Sequence, residues 1–342
     1  MTELGILVEK LSMAVTGLES SFDIETSRTR VTELERLMIE GQTTAALSRE
    51  YNRLEPLVRN YEDLSKSAED ARGFCDLTIV EGDDEDQASA AEEITECIDG
   101  IRDFVLGRSF KGKYDNNNTV ITLQRATVGK DEVTFAMNKL AEAYVNYAKS
   151  KGLKADVLDS DPKSYTIKIS GENAYGLFKG EHGKHRVIYT GDRSKTHTAY
   201  VIASVEPEIE RTRRTFQRSE VRYEFLSASS KGGQHANKAE TGVRLTHTPT
   251  GKTATVRTRS RAQSLRAAEK ILASRIAIAE IGATRVVPEI DPGKGGYLRT
   301  YRFASGQYIK DHRTETRTTD MNAFFRGDGI DAFILAYHNL NF

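Results

Sequence analysis

Residues 227–237 read SASSKGGQHAN, with Gly232, Gly233 and Gln234 in the middle. Two adjacent glycines reach backbone angles closed to other residues and let the main chain approach a ligand closely. A glutamine beside them offers a backbone N–H, a side-chain donor and a side-chain acceptor. Such a tip can hold a water near a carbonyl carbon and donate to the charge that develops on oxygen. It supplies no strong base, so it suits attack on an already activated ester better than on an amide. By itself the tripeptide is weak, because an ordinary flexible loop has the same composition.

Its surroundings say more. Residues 211–275 carry 15 Lys/Arg and 4 Asp/Glu, whereas residues 1–105 carry 25 Asp/Glu and 10 Lys/Arg, although the whole chain has a formal net charge of −1. A basic domain beside an acidic one points to a polyanion, with nucleic acid the first candidate and an acidic protein the second. Arg257, Arg259 and Arg261 cluster behind the glycine loop. Each alone reads as a solvated charge, and together they favour phosphate contacts.

The elements that must position the loop can be read from periodicity. Val221, Tyr223 and Phe225 alternate as in a strand, and 243–246 and 253–256 flank a Pro-Thr-Gly turn. A helix with basic positions follows over 262–281. Upstream, 44–72 carries apolar residues at helical spacing from Tyr51 to Leu64. A second stripe runs over 31–38, and a further helix extends to about Val105, so residues 1–105 read as an antiparallel helical bundle. After the asparagines at 116–118 come a strand at 120–123 and a helix over 131–151, with Phe135, Leu140, Ala143, Tyr144 and Tyr147 on its apolar face. Short alternating segments follow at 155–158, 165–169 and 200–205. The last stretch, 297–342, reads as a strand and a terminal helix. The fold class is α+β multidomain, with domains expected at 1–108, 109–215, 216–290 and 291–342.

Several familiar sites fail. Gly180 to His185 hints at a phosphate loop, but the spacing is wrong and no Ser or Thr follows the lysine. The histidines have no zinc spacing and no Gly-x-Ser-x-Gly occurs. Cys75 and Cys97 read as reduced thiols. No apolar run is long enough to cross a bilayer and no secretion signal is seen at the N-terminus, so a cytoplasmic location is expected. No metal and no cofactor is expected.

The stretch GGQHANKAETGVRLTHTPTG, Gly232 to Gly251, resembles the hallmark segment of bacterial class I peptide chain release factors. Arg259-Ser260 resembles that family's Arg-Ser-Gln. His185-Arg186-Val187, His197-Thr198, the run Arg299 to Phe303, and Asp311 to Arg313 follow in the family's order. In the acidic region Leu47 to Tyr51 and Leu54 to Pro56 match as well, so the likeness spans about residues 30–342.

The resemblance implies a translation termination factor that binds the ribosomal A site and promotes hydrolysis of the peptidyl-tRNA ester in response to a stop codon. It does so as a ribosome-dependent factor rather than a free-standing enzyme. It implies that the last segment packs back on the codon-recognition domain. It assigns Gly232, Gly233 and Gln234 to the peptidyl transferase centre, with the Gln234 backbone N–H stabilising the transition state and the side chain admitting water. Gln234 becomes a candidate for amide methylation. The implied partners are both ribosomal subunits with their 16S-type and 23S-type RNA, the mRNA stop codon and the P-site peptidyl-tRNA. A glutamine methyltransferase and a recycling GTPase join them, and no membrane does.

At the codon end the family's first-base segment corresponds to Gly129, Lys130, Asp131 and Glu132, with Lys130 replacing the usual glycine. Gly129 and Glu132 keep the first-base positions, and a helix N-terminus there offers unpaired N–H donors. His197 and Thr198 match the family's base-stacking histidine and its threonine. The loop between them and Val187 is about three residues short and holds neither Pro-Ala/Val-Thr nor Ser-Pro-Phe. The residues left for codon reading are Tyr189, Thr190, Asp192, Arg193, Ser194 and Lys195. Two rival readings follow. One is a ribosome-rescue factor that acts on stalled or damaged ribosomes without standard codon reading. The other is a non-catalytic RNA-binding paralogue, disfavoured by the intact Gly-Gly-Gln.

Overall fold

A computed structural model describes residues 3–21, 23–126, 131–190, 196–209, 216–227, 240–286 and 296–338. The chain divides into two compact units, Phe110–Tyr337 forming one and Met1–Ser109 with the chain end from His338 the other, and its secondary structure is mixed helix and sheet.

The first unit is helical. It contains α1 (Glu3–Ser21), α2 (Ile24–Ile39), α3 (Ala45–Glu81) and α4 (Asp84–Ser109). Asp23 and Thr44 cap α2 and α3 by accepting from the backbone N–H of Thr26 and Leu47, which satisfies donors the first helical turn leaves open. Leu11, Leu18, Ala71, Cys75, Ile94 and Ile101 recur at helical spacing and close one core. Both cysteines are free and buried there, and burial pushes their thiols up. The helix expected to end near residue 72 continues to Glu81.

The second unit opens with β1 (Thr119–Arg125), α5 (Asp131–Ser150), β2 (Lys154–Asp161) and β3 (Ser164–Ser170), followed by the short α6 (Ala174–Phe178). Then come β4 (Gly183–Thr190) and β5 (Thr196–Pro207). A hairpin-based layer follows, β6 (Val221–Leu226), β7 (Gly242–His247) and β8 (Thr253–Val256), backed by α7 (Arg261–Val286). The chain returns as β9 (Arg299–Arg302), β10 (Tyr308–Asp311), β11 (Arg317–Thr318), α8 (Met321–Arg326) and α9 (Asp331–Tyr337). The expected single strand and helix of this last stretch are therefore three strands and two short helices.

The large sheet runs β11-β10-β9-β4-β5-β1-β3-β2, and the small one β6-β7-β8. The large sheet's neighbours are antiparallel except β4 and β9, which run parallel with His185 opposite Arg299 and Ile188 opposite Arg302. The C-terminal strands thus complete the sheet that carries the expected codon-reading residues.

On α5, Val133, Met137, Leu140, Tyr144 and Tyr147 are buried at spacings of three and four, as an amphipathic helix on a sheet requires. Phe135 is not part of that face. It is 53% exposed, because a position five residues before Leu140 points away from the buried stripe.

Candidate functional site

At one end of the large sheet β4 and β5 run level. Tyr189 lies opposite His197 and Thr190 opposite Thr196. The Tyr189 and His197 rings stack at 5.6 Å with their planes 18° apart, a cross-strand pair that rigidifies the strand ends. Thr198 is exposed beside them. Gly129 and Asp192, Arg193, Ser194 and Lys195 lie outside the described residues. Glu132 belongs to the first turn of α5.

The start of α5 is held at this same end. Arg125 Nη1 donates to Thr134 Oγ1 at 3.2 Å, and Thr134 Oγ1 donates to the Pro162 carbonyl at 3.2 Å. Phe303 N donates to the Ile188 carbonyl at 2.7 Å, which ties the end of β9 to the end of β4. The Phe135 and Phe303 rings then meet edge to face, 6.1 Å between centroids. The structure therefore gathers the first turn of α5 with Tyr189, Thr190, His197 and Thr198.

The second expected site begins from β6 and β7. Leu226 pairs with Gly242, so the segment carrying Gly232, Gly233 and Gln234 leaves and rejoins a closed antiparallel pair. The tripeptide itself lies outside the described residues. Gly242 is required where the segment rejoins: a Cβ there would stand 2.8 Å from Arg257 Cγ and 3.0 Å from the Leu226 carbonyl oxygen. Val243, Leu245, Ala254, Val256, Ile271 and Leu272 form the core that makes this platform rigid.

The three arginines that follow β8 are not equivalent. Arg257 donates to Asp159 at 2.6 Å and lies 3.5 Å from Asp161, while its backbone N–H donates to the Leu158 carbonyl. In this arrangement Arg257 joins the small sheet to β2, and a phosphate contact would have to replace those carboxylates. Arg261 Nε donates to the Glu240 carbonyl at 2.8 Å and its guanidinium covers the Phe225 ring at 4.7 Å. It holds Glu240, just before β7. Arg259 is exposed.

The sequence matches the PCRF domain over residues 27–202 and the RF-1 domain over residues 209–313. The chain belongs to the class I peptide chain release factor family. It is 32% identical to peptide chain release factor 2 of Thermomicrobium roseum, over 86% of this chain and 83% of that one. It is 28% identical to peptide chain release factor 2 of Staphylococcus aureus, over 98% and 97%. The fold is similar to release factor 2 of Thermus thermophilus, with a TM-score of 0.63 at 28% identity, covering 93% and 95% of the two chains. This release factor is a translation termination factor that acts at the ribosome. No described helix is long and apolar enough to cross a membrane.

The family segments that looked separate in the release factor's sequence meet in one buried network. Arg299 makes a fork of two 2.7 Å bonds to Glu181 and reaches Asp311 at 3.2 Å. Tyr144 donates to Glu181 at 2.7 Å, and Arg313 grips Asp311 at 2.8 Å and the Gly180 carbonyl at 2.7 Å. Burial works to raise both carboxyls, but Arg299 wins at Glu181, and Arg313 with Arg299 at Asp311, which is held down to about 2. A buried charge is tolerable only when it is paired, as both Arg299 Nη groups are; Arg299 Nε is buried with no hydrogen-bond partner among the described residues. The network clamps β9 and β10 against β4 and so holds the strand that ends at Tyr189 and Thr190. Sequence reasoning misses Glu181: it sits within Gly180 to His185, whose spacing fits no phosphate loop, and nothing local signals a partner 118 positions away.

His185 is part of the same clamp. Its Nε2 lies 3.0 Å from the Glu181 carbonyl oxygen and must donate, so Nδ1 accepts from the Tyr301 hydroxyl at 3.2 Å. That is the neutral ring. Burial, reinforced by the Arg299 and Arg313 charges, lowers its pKa from 6.5 to about 4, although Glu181 acts to raise it. Because the native pKa is below the unfolded one, the stability it contributes is present above pH 6.5 and is lost as pH falls towards about 4. The urea midpoint, followed by tyrosine emission since the chain has no tryptophan, is expected to fall through that window. The slope should be at most about 1.4 kcal/mol per pH unit for the one proton. An His185→Asn variant should show a flatter profile there. A midpoint constant from pH 7 to 5 would contradict the assignment.

Proposed function

We propose that this release factor enters the ribosomal A site and promotes hydrolysis of the ester in P-site peptidyl-tRNA in response to a codon beginning with uridine. Gly232, Gly233 and Gln234 act at the reacting ester. The Gln234 backbone N–H donates to the developing oxyanion, and its side chain admits water and excludes larger nucleophiles. Arg259 and Arg261, and Arg257 once released from Asp159 and Asp161, face ribosomal RNA phosphates. A methyltransferase acting on Gln234 and a recycling GTPase complete the set of partners.

The observation that carries the reading is the gathering of the α5 first turn, Tyr189, Thr190, His197 and Thr198 at one end of the large sheet. Open N–H donors at the start of α5 suit an acceptor edge such as that of uracil. His197, braced on Tyr189, presents a ring to the following base.

One observation favours rescue of stalled ribosomes as the second reading: nine residues, IYTGDRSKT, separate Val187 from His197, and no known codon-reading tripeptide is among them. The test is peptide release on ribosomes programmed with UAA, UAG, UGA, UGG and CAA and on ribosomes with an empty A site. Release on the U-initial codons with altered or relaxed choice at the second base is expected, since losing one good base contact of ~1–3 kcal/mol blurs recognition about 5- to 150-fold. Strong release on CAA or the empty site would replace codon reading by rescue.

A further inference from the structure

Phe135 is where α5 departs from its own pattern. It is 53% exposed on a helix whose Val133, Met137, Leu140, Tyr144 and Tyr147 are buried. The other half-exposed phenylalanine among the described residues, Phe225, has the Arg261 guanidinium over its ring. Phe135 instead meets Phe303 edge to face. Phe303 stacks on Phe325 at 5.7 Å and 13°, and Phe325 stacks on the buried Tyr301 at 6.3 Å and 29°. Phe135 is thus the outermost ring of a series that leads through Phe303 and Phe325 to Tyr301 on β9.

That position is one turn along α5 from Asp131, and the Phe303 beneath it is bonded to Ile188, next to Tyr189. We propose that the exposed face of Phe135 is a stacking platform for an RNA base at the codon end of this factor. The proposal rests on the reading of that end as the one that meets RNA. A phenyl ring makes no hydrogen bond and so does not identify a base. It contributes affinity through the π-face that every base presents. Such a contact suits a factor with a short loop between β4 and β5, because binding lost with the missing loop contacts is recovered on the neighbouring helix without new base selectivity. The base belongs either to the codon or to the ribosomal RNA around it, and the chemistry is the same.

The test compares the full chain with Phe135→Leu and Phe135→Tyr on ribosomes programmed with UAA, measuring the half-saturating factor concentration and the maximal release rate. Leucine keeps apolar packing on Phe303 and removes the π-face, whereas tyrosine keeps both. The leucine variant is expected to need about tenfold more factor for half-saturation, with its maximal rate within about twofold of wild type, and the tyrosine variant to match wild type. Leucine behaving as wild type, or tyrosine failing as badly as leucine, would overturn the proposal. A drop in melting temperature that accounts for the leucine effect would do the same. Codons made abasic at each position in turn assign the base. A gap between wild type and leucine that closes at one position identifies a codon base, and a gap that persists at all three identifies ribosomal RNA. Should wild type release at no stop codon, the codon reading fails, and the same variants' affinities for ribosomes with an empty A site still decide whether Phe135 stacks.

Discussion

Replacing Gly233 by Ala is expected to lower the maximal rate of peptide release by about 10²–10³-fold, the cost of misplacing one oxyanion donor, while ribosome affinity changes little. The Cβ narrows the backbone angles at the position before Gln234, and the donor there must point at the oxygen of the transition state rather than of the ground state. Gln234→Ala keeps the backbone N–H and loses only the side chain, so it should be milder. Single-turnover release at saturating factor, with binding measured in parallel, separates the two. Equal loss of binding and release in Gly233→Ala would make the glycine structural, and complete loss in Gln234→Ala would move the chemistry to the side-chain amide.

Arg299→Ala is expected to cost about 3–5 kcal/mol, because it leaves the Glu181 and Asp311 carboxylates buried without their shared cation. For a unit of 150–250 residues that corresponds to a melting temperature lower by about 6–20 °C. Arg299→Met combined with Glu181→Met should recover part of the loss, because an apolar pair of similar volume replaces a pair of charges rather than orphaning one. Thermal unfolding of the single and double variants measures both. A single variant within about 1 kcal/mol of wild type would show that the β4–β9 pairing stands without this clamp. Codon-dependent release should fail with stability in Arg299→Ala, since β4 carries Tyr189 and Thr190.

Local patterns made part of this readable. Alternation at Val221, Tyr223 and Phe225 and the Pro-Thr-Gly turn placed the Gly-Gly-Gln segment between β6 and β7, because hairpin chemistry is written over a few residues. The face of α5 is legible for the same reason, except at Phe135, whose hydrophobicity suggests that face and whose angular position excludes it. The likeness at His185 to Val187 and at Arg299 to Phe303 identified the family, but two strands 114 positions apart carry no local mark of lying side by side. Arg257 groups with Arg259 and Arg261 by charge alone. Its carboxylate partners are on β2, which no spacing within the basic region could reveal.

The parallel pairing of β4 with β9 also sets an order of events during synthesis. β4 is made more than a hundred residues before its neighbour. At about 5–20 residues per second, its outer edge waits on the order of 5–20 s for β9 to be made. Throughout that interval Glu181 and His185 lack Arg299 and Tyr301, and a row of backbone donors and acceptors on β4 stays open to other chains. Only a chain carried through β11 completes the sheet, so a product aborted soon after β8 would carry the Gly-Gly-Gln segment without the strands that cover β4.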